Sequence, residues 1–142
     1  MIGGNSKRMR MRFSEIDSKT ASPAETPSLI IQLIDNLKYR LESAKSEEEK
    51  LVAILDTHIQ IETIHPFSDG NGRTGRMVLN YSLLQQGFPP LIIEKETIAE
   101  YIEFLGNQDL DGFYKFALEL LEKEQKRLLA FQNQEQEQIK YE

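Results

Sequence analysis

Residues 65–76 read His-Pro-Phe-Ser-Asp-Gly-Asn-Gly-Arg-Thr-Gly-Arg and lie between two stretches whose apolar residues recur at helical spacing. Pro66, the second residue of the run, ends the helical pattern that precedes it, because proline cannot continue a helix. Met77, Tyr81 and Leu84 belong to the pattern that follows it. The sequence therefore predicts two helices joined by a polar, glycine-rich loop.

The loop has the features of a phosphate site. Residues 70–72 directly precede the next helix, and their two glycines let backbone N–H groups turn inward without obstruction by Cβ atoms. The helix dipole and the guanidinium groups of Arg73 and Arg76 favour bound phosphates. Asp69 can bind Mg²⁺ that bridges those phosphates, and His65 is suited to remove a proton from an attacking hydroxyl. The run thus predicts a Mg-nucleotide site with a general base.

Outward from the run, the pattern predicts a mostly helical chain. Alternation of Met9, Met11 and Phe13 with polar residues predicts a strand in a hairpin over residues 8–24. Helices are predicted over residues 27–41 after a Thr26 cap, from a Ser46/Glu49 capping box to His65, over 77–84, over 96–105, and from Asp111 beyond Arg127. Gly87 and Pro89 stop the third helix, and Gly106 separates the last two. Residues 91–93 fit extended chain or the lead-in to a helix, and residues 132–142 fit a fraying end or an exposed helix.

Length and composition limit the class of protein. With 142 residues, of which 39% are hydrophobic, a single domain over residues 1–142 is expected, with its core at about 8–123 and a C-terminal helix or tail at 124–142. Cysteine is absent, which excludes disulfides and thiolate chemistry and fits a cytoplasmic location. A net charge of -6 argues against nucleic-acid binding, and the lack of a long apolar span argues against a membrane segment.

The run also resembles the signature of the Fic family, which is His-Pro-Phe, any residue, Asp or Glu, Gly-Asn-Gly-Arg, two residues, Arg. The match is complete, and His58 and the Gly-Phe-Pro-Pro turn at residues 87–90 agree with the family context. The resemblance covers about residues 8–123. It implies an all-α fold, a Fic-type helical bundle with a small β-hairpin flap, and the activity of a protein adenylyltransferase that uses Mg-ATP.

The resemblance also implies a role for each residue of the site. His65 would be the general base for a Ser, Thr or Tyr hydroxyl, and Asp69 would hold Mg²⁺. The remaining nucleotide-binding residues would be Gly70, Asn71 and Gly72 around the α- and β-phosphates, Arg73 and Arg76 on the polyphosphate tail, and Tyr101 at the adenine. The target protein would dock by strand addition on the flap, from about Glu15 to Ala21.

Several alternatives are left open at this stage. Phosphoryl transfer, or transfer from another nucleotide, occurs in death-on-curing relatives, but those usually carry Lys where this chain has Gly72. A nucleotide-binding toxin–antitoxin module with little turnover is a third hypothesis. Reverse removal of AMP and self-association are also left open. The inhibitory pattern of the family, Ser or Thr, three residues, Glu, then Gly or Asn, has no match. The chain is therefore expected either to lack built-in inhibition or to take it from a partner or a missing segment.

Two other constellations compete for metal binding. His58, Glu62 and His65 lie at i, i+4 and i+7 and could form a two-His, one-carboxylate site, although His58 fits a buried, hydrogen-bonded partner of the loop better. Residues 107–112 imitate an EF-hand loop, but Leu118 stands where a bidentate Glu is needed. A helix N-cap at Asp109 or Asp111 is the simpler interpretation.

Overall fold

The computed structural model describes residues 26–64 and 71–140. These residues form five helices and contain no strand. In chain order the helices are α1 (Thr26–Ser43), α2 (Glu47–Ile64), α3 (Asn71–Gln85), α4 (Ile98–Gly106) and α5 (Leu110–Lys140). The predicted helical fold is therefore confirmed for this part of the chain. The predicted hairpin over residues 8–24, with the flap at 15–21, lies outside the described residues.

Helix α2 is the centre of the fold. It packs against α1, α3, α4 and α5, and its buried residues are not confined to one stripe. Leu55 and Ile59 are fully buried, and His58 beside them is almost as inaccessible. A helix buried on all sides must satisfy any polar group it carries with partners from its neighbours. We therefore expect polar side chains of α2 to bond to residues of the neighbouring helices.

The start of α2 confirms the predicted capping box, with one difference. The N–H of Glu49 donates to Ser46 Oγ at 3.1 Å, which satisfies a donor of the first turn. The Glu49 carboxylate accepts from the N–H of Lys45 at 2.7 Å rather than from that of Ser46. Two turns after Glu49, Asp56 of α2 accepts a hydrogen bond from Arg40 of α1 at 2.8 Å, so a partly buried ion pair links the two helices.

Helix α3 ends at the predicted glycine. Gly87 has φ +86°, and the N–H groups of Gly87 and Phe88 donate back to the carbonyls of Leu84 and Leu83. This is the hydrogen-bond pattern of a Schellman C-cap, which needs a left-handed residue at this position. The residues that follow are not helical until residue 98, so 91–93 have no regular secondary structure and are not the start of a helix. Leu91 is held there by its N–H, which donates to Asn80 Oδ1 at 2.7 Å.

The boundary between α4 and α5 differs from the prediction. Gly106 remains in α4, and Gln108 takes the left-handed conformation at φ 53°. The cap is a second Schellman pattern, because Gln108 and Asp109 donate to the carbonyls of Leu105 and Phe104. Asp109 then caps α5 by accepting from the N–H of Gly112 at 3.0 Å. Of the two residues predicted as the N-cap, Asp109 and Asp111, the structure uses Asp109.

Helix α5 contributes to the core with its first half only. Phe113, Phe116, Ala117 and Leu121 are buried in the same apolar cluster as residues of α2, α3 and α4. Beyond Glu124 every described side chain is exposed, including Phe131. The C-terminal stretch therefore projects as an exposed helix as far as Lys140, which is one of its two predicted forms. None of the helices described is both long and apolar enough to cross a membrane.

Candidate functional site

The run at residues 65–76 spans the junction between the central helix and its neighbour. Helix α2 ends at Ile64 and α3 begins at Asn71, and the two helices pack against each other. The carboxyl end of one helix and the amino end of the other thus border residues 65–70. The predicted base His65, the predicted metal ligand Asp69 and Gly70 lie outside the described residues, so their roles stay predictions.

Asn71, Gly72 and Arg73 lie in the first turn of α3. The sequence predicts residues 70–72 as a loop before the helix, whereas the structure starts the helix at Asn71. The first N–H groups of a helix have no partner within it, so this change is compatible with the predicted anion site, which stays a prediction. The first turn of α3 contains no acidic residue, so no carboxylate of its own offsets the positive end of the helix dipole.

Arg76 lies one turn further along α3 and is partly buried. Its positive charge acts on His58, Glu62 and Tyr101. Two of the predicted nucleotide-binding residues, Arg76 and Tyr101, are therefore brought together although they are far apart in sequence. They meet on the side of α2 that carries His58 and Glu62.

His58 and Glu62 are one helical turn apart on α2 and share a buried environment. His58 Nε2 lies 2.8 Å from the Tyr101 hydroxyl oxygen and 3.4 Å from Glu62 Oε2. The His58 side chain is 3% exposed and that of Glu62 is 9% exposed. The charge of an ionised Glu62 also acts on the Tyr101 hydroxyl. His58 therefore lies between the Tyr101 hydroxyl and the Glu62 carboxyl group.

Burial decides the charge of this cluster. It lowers the pKa of His58 to about 3, with the positive charge of Arg76 acting in the same direction. It raises the pKa of Glu62 to about 8, although the positive charge of Arg76 and the nearby Tyr101 hydroxyl oppose the rise. The pKa of Tyr101 is raised as well, first by burial and then by Glu62. At neutral pH His58 is therefore uncharged, and its 3.4 Å contact with Glu62 is not an ion pair.

Tyr101 belongs to the core of the described structure. It is 1% exposed, and its ring packs at centroid distances of 6.0 Å from His58 and 5.9 Å from Phe113. Its hydroxyl points into the His58 cluster instead of into solvent. A contact of Tyr101 with adenine stays a prediction, and what the described residues establish is its bond to His58.

The prediction that His58 is buried and hydrogen-bonded is confirmed. Among the described residues its partner is Tyr101, and the predicted contact with the loop at residues 65–70 stays a prediction. The role of Glu62 beside it was not predicted. The i, i+4 spacing places His58 and Glu62 on one face of α2. From the sequence, this spacing was interpreted only as part of a possible metal site with His65. No group of three His, Cys, Asp or Glu side chains among the residues that the structure describes could hold a metal. His65 is outside that part of the chain, so the full set is untested.

Comparison with known proteins identifies the family. The Fic/DOC family profile matches residues 1–83, and this chain therefore belongs to the Fic/DOC family. It is 30% identical over 107 residues to the protein adenylyltransferase fic-1 of Caenorhabditis briggsae and to that of Caenorhabditis elegans, a match that covers 75% of this chain and 21% of each relative. It is 41% identical over 69 residues to the protein adenylyltransferase Fic of Drosophila grimshawi, covering 46% of this chain and 14% of that protein.

The matched region spans only about a fifth of the length of the two nematode relatives. Their names describe whole proteins, of which this chain resembles one part. No solved structure matches the chain.

Proposed function

We propose that this chain transfers AMP from Mg-ATP to a Ser, Thr or Tyr hydroxyl of a target protein. The observation that carries the proposal is the placement of the run 65–76 at the junction of α2 and α3, with the amino end of α3 starting at Asn71. The first N–H groups of a helix have no partner within it, and those of α3 would directly follow the predicted base and metal ligand in the chain, which supports phosphate binding there. The adenylyltransferase names of the relatives support the same reaction.

In this reaction the hydroxyl oxygen of the target attacks the α-phosphorus of ATP. His65 accepts the hydroxyl proton as the new oxygen–phosphorus bond forms. The bond from the α-phosphorus to the oxygen that bridges to the β-phosphate breaks, and pyrophosphate leaves with the electron pair of that bond. The products are the AMP ester of the target and pyrophosphate, with one proton on His65.

The remaining residues of the run would bind the nucleotide. The backbone N–H groups of residues 70–72 would stabilise charge on the α- and β-phosphates, and Arg73 and Arg76 would hold the polyphosphate tail. Asp69 supplies the hard carboxylate oxygen that Mg²⁺ prefers, and the bound ion would neutralise part of the phosphate charge. Tyr101 would approach the adenine end.

The target protein would dock on the flap at residues 15–21, where strand addition binds the backbone of the target with little dependence on its sequence. Water in place of the hydroxyl would give removal of AMP at the same site. The chain would either lack built-in inhibition or take it from a partner or a missing segment, and the reaction would take place in the cytoplasm.

Two isotopic forms of ATP test the reaction. The purified chain is incubated with a cell lysate and either α-labelled or γ-labelled ATP, and modified peptides are identified by mass spectrometry. We expect label and the added mass of AMP on a Ser, Thr or Tyr side chain with α-labelled ATP only. Transfer from γ-labelled ATP would instead establish phosphoryl transfer. Tight Mg-ATP binding without any adduct would establish a binding module.

Single substitutions assign the base and exclude general damage. His65→Ala should abolish the adduct while leaving Mg-ATP binding unchanged. Arg127→Ala is the control for substitution of a charged surface residue, because Arg127 is 71% exposed on the projecting part of α5, and it should label like the wild-type chain. Full labelling by His65→Ala would show that His65 is not the base.

A further inference from the structure

Helix α3 has apolar side chains on two opposite sides. Leu79 and Leu83 face the core and are buried in it. About half a turn around the helix, a second apolar set is between 42% and 66% exposed. We call this set the outer face of α3, and it consists of Met77, Val78, Tyr81 and Leu84. Their spacing of i, i+1, i+4 and i+7 places them on one side of the helix.

The outer face of α3 carries no charge. Residues 77–85 contain no Asp, Glu, Lys or Arg. Two of the polar groups in this stretch bond within the helix, because Gln85 Nε2 donates to the Tyr81 hydroxyl at 2.9 Å and Ser82 Oγ donates to the Val78 carbonyl at 3.0 Å. A helix that is apolar on all sides is typically buried on all sides. The outer face is therefore suited to contact with another apolar surface.

A cavity lies beside the outer face, between α1 and α3. Its volume is about 210 Å³, and its apolar lining includes Ile34, Leu41, Ile61 and Val78, with the exposed Lys38 of α1 also among the lining residues. An apolar cavity of about 150 Å³ is enough to hold a benzene molecule. This cavity can therefore accept a large apolar side chain from a second molecule that covers the outer face.

We propose that the outer face of α3 and the cavity beside it bind the same surface of a second copy of this chain. The net charge of -6 makes two copies repel each other. A contact between copies costs least where neither surface has a charge to desolvate, and residues 77–85 meet that condition. Twofold symmetry then places one apolar face against another of identical character.

The available area fits a small and specific dimer. A large apolar side chain buries about 150–250 Å², so the four half-exposed side chains of the outer face offer about 400 Å² in each copy. The cavity walls and the polar rim at Ser82 and Gln85 bring the total for two copies to about 1,000 Å², the lower end for a specific interface. We expect a dissociation constant at the weak, micromolar end of the range for protein interfaces.

Sedimentation velocity of the full chain, over concentrations on both sides of the expected dissociation constant, tests this interface. Leu84→Glu introduces a charge into the outer face. Ile102→Glu is the matched control, because Ile102 of α4 is 59% exposed and Leu84 is 57% exposed. We expect the wild type and Ile102→Glu to reach twice the mass of the chain. Leu84→Glu should dissociate at least about 100-fold more readily, since symmetry buries its charge twice.

Chemical cross-linking tests the same contact without a buried charge. The chain contains no cysteine, so a single introduced cysteine reports on its own position. Tyr81→Cys lies near the middle of the outer face, where a twofold axis would bring the two copies together. A short bis-maleimide should join Tyr81→Cys into a covalent dimer and should leave Ile102→Cys monomeric.

Three results would overturn the proposal. One is a wild-type chain that stays monomeric far above micromolar concentration. Urea titration then identifies the occupant, because a loss of stability in Leu84→Glu but not in Ile102→Glu means that the chain itself covers the face, and equal stability leaves it to a different protein. Another is a dimer that persists in Leu84→Glu. The third is equal cross-linking of Tyr81→Cys and Ile102→Cys. None of these measurements depends on nucleotide or on transfer activity.

Discussion

His58 Nε2 and the Tyr101 hydroxyl oxygen are 2.8 Å apart, although 43 positions separate the two residues in the chain. The contact joins the central helix α2 to α4 and is inaccessible to solvent. Burial and Arg76 lower the pKa of His58 to about 3, so this imidazole is uncharged and committed to Tyr101. Of the two histidines in the chain, His58 therefore forms a buried hydrogen bond between helices. His65 stays the predicted base.

The raised pKa of Glu62 predicts a loss of stability with rising pH. Burial raises this pKa from 4.5 to about 8, so the folded chain binds the Glu62 proton more tightly than the unfolded chain. The contribution of Glu62 to stability is fully present below pH 4.5 and is lost as the pH rises through 8. We expect the difference in free energy of unfolding between wild type and Glu62→Gln to change by more than about 1 kcal/mol between pH 4.5 and 8.5. Urea titrations at each pH measure it, and a constant difference would contradict the assignment.

The two glycines that end helices should respond oppositely to alanine. Gly106 lies in α4 with a negative φ and open space around the position of a Cβ atom, so Gly106→Ala should stabilise the chain by about 0.5–1 kcal/mol. Gly87 also has open space but sits at φ +86°. Gly87→Ala should destabilise the chain by about 1–2 kcal/mol, because the left-handed conformation is strained for alanine. Thermal unfolding of both variants tests the pair, and equal effects would exclude backbone conformation as the cause.

Two phenylalanines of α5 test the difference between its packed first half and its exposed second half, because one lies in each. Phe113 is 0% exposed and packs against Tyr101 and Phe116, so Phe113→Ala should lower the free energy of unfolding by about 3–5 kcal/mol. Phe131 is 59% exposed, and Phe131→Ala should change it by less than about 0.5 kcal/mol. Chemical denaturation of the two variants measures the difference. A large loss in Phe131→Ala would show that the projecting helix is packed against something in solution.

Removal of the predicted metal ligand should change the dependence of labelling on Mg²⁺. In Asp69→Asn we expect the Mg²⁺ concentration for half-maximal labelling to rise by at least about tenfold, since even partners outside the first coordination shell affect metal affinity that much. Asp111→Asn is the matched control, because Asp111 is an exposed residue of the first turn of α5. An unchanged Mg²⁺ requirement in Asp69→Asn would exclude Asp69 as the ligand.

The helices were predictable because their signals are local. The capping pair Ser46 and Glu49, and the stop at Gly87, act through residues within one turn of each other. The prediction was less accurate at Gly106, where a glycine suggested the boundary. The chain instead places Gln108 in the left-handed position and starts α5 from Asp109. The glycine at 106 and the N-cap residue at 109 predict different positions for the boundary between α4 and α5. Neither residue type alone fixes that boundary.

The sequence by itself determined the helical periodicity, the family signature at residues 65–76 and the residue types that nucleotide chemistry requires. Each of these depends on spacings of a few residues, which the backbone geometry of a helix or turn converts directly into position. Only the tertiary structure decided that His58, Glu62, Arg76 and Tyr101 meet in one buried cluster. Their contact and their shifted pKa values arise from how three helices pack and exclude water, and no local spacing encodes that packing.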